Sequence, residues 1–129
     1  MTGRLSDLRV LVVDDSRSMR RIVRRFLENN GVKTIAEARH GRSAMEEIQS
    51  ETPDLIISDL NMPVMNGMEL LTAVRSEHAF HAIPFIMLTV EAIQKTMNQA
   101  LERGVDAYIV KPVTEALFIQ EIKKVLDPD

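Results

Sequence analysis

The chain has 129 residues, 45% of them hydrophobic, with a net charge of −3 and no Cys. That is enough for one ordinary domain with its own core, and it argues against disorder. It excludes disulfides and thiolate metal sites, points to a reducing compartment, and lacks the strongly basic footprint of a nucleic-acid binder.

At the N-terminus, Met1 to Asp7 has no apolar core for a signal peptide. No apolar stretch nears the roughly 18 residues that span a bilayer. A cytoplasmic domain without membrane insertion is expected. Arg9–Val13 reads as a buried strand, and Ser16 as the N-cap of a helix from about Arg17 to Asn30, closed by Gly31. Thr34–Ala38 is a weaker strand. Gly41–Ser50 is a helix with Ala44, Met45 and Ile48 as its apolar stripe. Pro53 stops it, and Leu55–Ser58 is the third strand. The Asn, Pro and Gly of residues 61–67 mark a loop. Helix three is Met68–Ser76, Pro84 introduces a strand running to Thr89, and helix four is Ala92–Arg103, ended by Gly104. Ala107–Val110 is strand five, and Thr114 caps a last helix reaching about Leu126.

This alternation is (βα)5. Continuous apolar strands are those covered by helices on both faces. Crossovers of this kind are right-handed. The expected fold class is therefore α/β, doubly wound, with a five-stranded parallel sheet in the order 2-1-3-4-5. One domain is expected over residues 1–129, with its core at about 9–126.

Four of the apolar runs end in polar groups: Asp14-Asp15, Asp59, Thr89 and Lys111-Pro112. In a parallel sheet all of these meet at the C-terminal edge, where open α/β sheets bind ligands. A Walker loop and a dinucleotide fingerprint are both missing. Two carboxylates after strand one repel a bare phosphate and attract Mg2+, which prefers oxygen ligands. Helix capping explains one acid near a helix start, but not two plus a third on the next strand. Three carboxylates at one place repel each other, and Lys111 offsets only part of that charge. Asp59 is a candidate nucleophile toward phosphorus. Mg2+, Lys111 and the Thr89 hydroxyl would take the phosphoryl oxygens. A cis turn at Lys111-Pro112 would aim the lysine inward.

Val12-Val13-Asp14-Asp15-Ser16, Asp59-Leu60-Asn61-Met62-Pro63, Thr89 and Lys111-Pro112, in this order and spacing, resemble a response-regulator receiver domain over about Arg9 to Leu126. Residues 19–24 and 108–112 look most like the single-domain chemotaxis regulators of the CheY type. The resemblance implies that Asp59 accepts a phosphoryl group from a histidine kinase or a histidine phosphotransfer protein. It implies that Asp14, Asp15, Asp59 and the Asn61 backbone carbonyl hold Mg2+, and that Lys111 and Thr89 bind the phosphoryl group. Thr89 then moves toward it and Tyr108 swings inward, which repacks the surface of helix four, strand five and helix five for a downstream target. A monomer is expected, without direct contact to nucleic acid. No output domain is expected after Leu126, so output is expected through a surface, in chemotaxis or motility. The alternatives are a phosphate sink, or a receiver cut from a larger regulator. The chain departs from the pattern at Val90, where a small residue is usual and a branched one would narrow access to Asp59. Asn66 stands for a common Asp, and Val113 for a common Phe.

Arg17, Arg20, Arg21, Arg24 and Arg25 fall on one side of helix one, with Met19, Ile22, Val23, Phe26 and Leu27 on the other as core. The arginines read as a solvated face or as a docking stripe for an acidic partner. His40, His78 and His81 read as surface or loop residues. The methionines read as packing. Glu91 and Asn61 flank the site and could modulate attack of water on it. A haloacid-dehalogenase-type phosphatase needs a second Asp two residues past the nucleophile, and Asn61 stands there. Asp14-Asp15 argue against a flavin-phosphate binder, and the intact site against a degenerate receiver. A phosphoacceptor that is not a turnover enzyme is expected.

Overall fold

The computed structural model describes residues 5–127. After a single 3-10 turn, Leu5–Asp7, strands and helices alternate. The strands are β1 (Arg9–Val13), β2 (Thr34–Ala38), β3 (Leu55–Ser58), β4 (Phe85–Thr89) and β5 (Ala107–Val110). The helices are α1 (Arg17–Asn29), α2 (Gly41–Ser50), α3 (Gly67–Ser76), α4 (Gln94–Glu102) and α5 (Glu115–Leu126). All strand pairs are parallel, in the order β2-β1-β3-β4-β5, as expected.

Alternation along the strands sorts the core into two layers. From β1, Val10 and Val12 face Val23 and Leu27 of α1 and Phe118, Ile119 and Ile122 of α5. Leu11 and Val13 face the other way, toward Ala44 and Ile48 of α2, Leu70, Leu71 and Val74 of α3, and Ala100 of α4. Both faces of β3 and β4 are buried, which is why those runs are apolar throughout. Edge strand β2 is largely exposed, in keeping with its weaker pattern.

Four helix boundaries shift, among them the end of α4, where Arg103 is the C-cap rather than the last residue. Asn30 is the C-cap of α1 rather than its last residue. Helix α3 starts one residue early because Asn66 and Glu69 form a capping box around its first turn. Helix α4 starts two residues late. The Glu91 N–H donates to Thr89 Oγ1 at 3.3 Å, and the Tyr108 hydroxyl donates to the Glu91 carbonyl at 2.8 Å, so residues 90–93 are held out of the helix. Of the apolar set on α1, Val23 and Leu27 are buried and Met19 and Phe26 partly so, but Ile22 is 44% exposed. It lies at the edge of the buried stripe, beside Val90 in a small apolar cleft that Lys111 and Pro112 also line.

Candidate functional site

Backbone pairing carries the sheet one step past β1 and β3. The Asp14 N–H donates to the Ala38 carbonyl at 3.0 Å and the Asp59 N–H to the Val13 carbonyl at 2.9 Å. This fixes both carboxylates side by side at the C-terminal edge. Carboxylate oxygens of Asp14, Asp15 and Asp59 lie within 4.8 Å of one another. Asp14 is only 4% exposed, Asp59 is half-buried and Asp15 is open to solvent. Lys111 reaches in from the end of β5, its Nζ 3.0 Å from Asp14 Oδ2 and 3.8 Å from Asp59 Oδ2. The Lys111–Pro112 peptide is cis, as the sequence suggested. Thr89 is fully buried at the end of β4. Asn61 is exposed on the loop after β3, and Tyr108 is half-buried against the α2–α3–α4 layer.

The carboxylates are not equivalent. Asp14 Oδ1 accepts from the Ser16 N–H and Asp59 Oδ1 from the Leu60 N–H, both at 2.8 Å. Burial pushes the Asp14 carboxyl above its ordinary range. Ser16 and Lys111 pull against that, and the negative Asp59 adds to it. Burial also raises the Tyr108 phenol, with Glu91 and Asp59 adding to the rise. Three carboxylates converging from the ends of β1 and β3 suit a hard divalent cation that favours oxygen ligands, which fits Mg2+.

Two features of the surroundings carried no local signal. His40 is the N-cap of α2, its Nδ1 accepting from the Ser43 N–H at 3.2 Å, a position where Ser, Thr, Asn or Asp would have been read. His78 and His81 are exposed, as expected. Gly67 sits directly behind the nucleophile candidate. A Cβ there would overlap the Asp59 carbonyl oxygen and stand 3.0 Å from Leu60 Cα, both backbone atoms that cannot step aside. Gly67→Ala is therefore expected to destabilise the fold by about 2–3 kcal/mol and to move Asp59. Urea denaturation would read the first effect, and a weakened Mg2+-induced rise in Tm the second.

A doubly wound parallel sheet that gathers three carboxylates, a buried hydroxyl and a lysine at the C-terminal ends of its strands defines a flavodoxin-like α/β protein. Residues 10–123 match the response regulator receiver domain, and the chain belongs to that family. It is 41% identical over 120 residues to the chemotaxis protein CheY1 of Helicobacter pylori, which covers 92% of this chain and 97% of that one. The structure of the chemotaxis response regulator CheY4 of Vibrio cholerae matches with a TM-score of 0.84 at 36% identity, over 92% of this chain and 98% of that one. The signal receiver domain of a signal transduction histidine kinase from Syntrophus aciditrophicus matches with a TM-score of 0.86 at 30% identity, over 94% of this chain and 91% of that one.

Proposed function

We propose that the chain is one receiver unit that accepts a phosphoryl group on Asp59 from a phosphohistidine donor and thereby switches a protein-binding surface. The observation that carries this reading is the Asp59 carboxylate lying beside Asp14 and Asp15 and within 3.8 Å of the Lys111 ammonium. An Asp59 oxygen attacks phosphorus, the bond from phosphorus to the donor nitrogen breaks, and the released imidazole nitrogen takes a proton. Lys111 and Thr89 hold phosphoryl oxygens in line with the attack. Asp14, Asp15, Asp59 and the Asn61 carbonyl would hold Mg2+, which neutralises phosphoryl charge when bound.

Thr89 and Tyr108 are the switch. Both contact Glu91, one through its N–H and the other through its carbonyl. A Thr89 hydroxyl drawn toward the phosphoryl group gives up the first contact and frees the segment that Tyr108 holds. The surface of α4, β5 and α5 then repacks toward a downstream target, with chemotaxis the setting that the CheY relatives favour. The chain is a phosphoacceptor rather than a turnover enzyme, and it acts as a cytoplasmic monomer. The likeness to a histidine kinase's receiver favours a second reading, a receiver that relays or drains phosphoryl groups.

The test is intact mass after incubation with acetyl phosphate. A Mg2+-dependent gain of one phosphoryl group, mapped to Asp59, is the expected result. A gain elsewhere, or one indifferent to Mg2+, would overturn the reading. A second outcome concerns pH. Protons compete with the cation for Asp14, whose carboxyl is already raised. The Mg2+-induced rise in Tm should therefore begin to shrink at a higher pH than an ordinary carboxylate would give. Thermal scans with and without Mg2+ across the acid range check this.

A further inference from the structure

The structure divides the arginines of α1. Arg20 Nε donates to Glu37 Oε1 at 2.9 Å, and its Nη1 donates to the Asp14 carbonyl at 2.6 Å. Arg24 Nε donates to Glu37 Oε2 at 2.8 Å, and its Nη2 to the Ile35 carbonyl at 3.0 Å. Both guanidiniums are pinned by a backbone carbonyl and one shared carboxylate. Burial works against the charge on Glu37, but its hydrogen bonds from Arg24 and Arg20 outweigh that and hold its carboxyl below the ordinary range.

Arg17, Arg21 and Arg39 are different. Their side chains are exposed and make no hydrogen bond or ion pair with any described residue. All three line one cleft of about 560 Å3, together with Arg20, Arg24 and the carboxylates Asp15 and Glu37. Arg25 lies outside it. Five guanidiniums against two carboxylates leave an excess of three positive charges around one volume. Unpaired like charges gathered around one cleft repel, and an anion removes the repulsion.

We propose that this cleft, built from α1, β2 and the Arg39 step between β2 and α2, binds a compact polyanion of the pyrophosphate class, either pyrophosphate or the diphosphate of a nucleotide. The guanidinium fork matches phosphate oxygens bidentately. The volume falls in the range of small-molecule sites. A diphosphate carries roughly three negative charges near neutral pH, which balances the excess, whereas a single phosphate does not. Concavity favours a small ligand over a flat acidic protein face. The cleft adjoins the proposed Mg2+ site through Asp15, but none of Asp59, Thr89 and Lys111 lines it.

The test is a magnesium-free amide NMR titration of the whole chain with sodium pyrophosphate, then ADP, with inorganic phosphate as reference. Saturable shifts are expected within residues 16–25 and 37–40. Pyrophosphate and ADP should bind on the order of tenfold more tightly than phosphate, and Arg21→Ala should weaken both by a similar factor. Arg25→Ala removes the same charge from the same helix outside the cleft and should leave affinity unchanged. ADP binding no tighter than pyrophosphate would mean that phosphates alone are read; tighter binding would add the nucleoside. Either supports the site. Absence of saturation, equal losses in the two variants, or shifts centred on Thr89 and Lys111 would overturn it.

Discussion

Asp59→Asn is expected to abolish phosphoryl transfer from acetyl phosphate while leaving the fold at least as stable as the native one. The two halves of this outcome have different causes. Transfer requires a carboxylate oxygen to form a bond to phosphorus as the bond to acetate breaks, and an amide oxygen is too weak a nucleophile. Stability responds to charge. Asp59 is one of three clustered carboxylates and shares the Lys111 ammonium with Asp14, and its charge helps to raise the Asp14 carboxyl. An amide of the same shape can still accept from the Leu60 N–H, and it removes the repulsion. Lys111 keeps its 3.0 Å contact with Asp14. A gain of about 0.5–1 kcal/mol at neutral pH follows, without Mg2+. Intact mass and urea denaturation of the same preparation separate the two. A variant that loses both transfer and stability would mean that Asp59 holds the fold rather than the phosphoryl group.

The carboxylates of the site were legible because each ends an apolar run, and a parallel sheet sends all such ends to one edge. The strand order followed from the same regularity, since five runs separated by helices leave few ways to wind. What stayed hidden depends on contacts between residues far apart in the chain. The start of α4 is set by hydroxyls from Thr89 and Tyr108 closing on Glu91, and nothing local to residues 92–94 encodes that. Gly67 reads as loop punctuation after Asn66, yet its real constraint is the Asp59 carbonyl behind it. The arginines of α1 look alike along the helix. Glu37 on β2 and the Asp14 and Ile35 carbonyls separate the pinned pair from the free ones, and Arg39 joins the latter from a different segment. Helical spacing places Ile22 with the core set, but spacing fixes a residue's angle around the helix and not where the buried stripe ends.

Lys111→Met removes the ammonium that contacts both Asp14 and Asp59. Its Nζ stands 3.0 Å from Asp14 and 3.8 Å from Asp59, with the lysine side chain 10% exposed, so solvent does little of the screening. Methionine keeps the stem and loses the charge. Phosphoryl acceptance should slow by about 10²–10³-fold, the usual effect of losing one fixed group that stabilises charge in a transition state. The effect on stability has a sign that pH reveals. Burial already raises the Asp14 carboxyl, and Lys111 opposes that rise, so the variant raises it further. A carboxyl lifted in the folded state binds more protons there than in the unfolded chain. Stability then falls as pH climbs from the ordinary carboxylate range through the lifted value, and stays low above it. The variant should lose about 1–3 kcal/mol at neutral pH, less than the full penalty for an orphaned buried charge, because Asp14 can take a proton instead. It should approach native stability at mildly acidic pH. Mg2+ should restore much of the loss at neutral pH by supplying the missing positive charge. Urea denaturation at both pH values, with and without Mg2+, checks each step. A deficit that is the same at both pH values would assign Lys111 a packing role and remove the electrostatic account of the site.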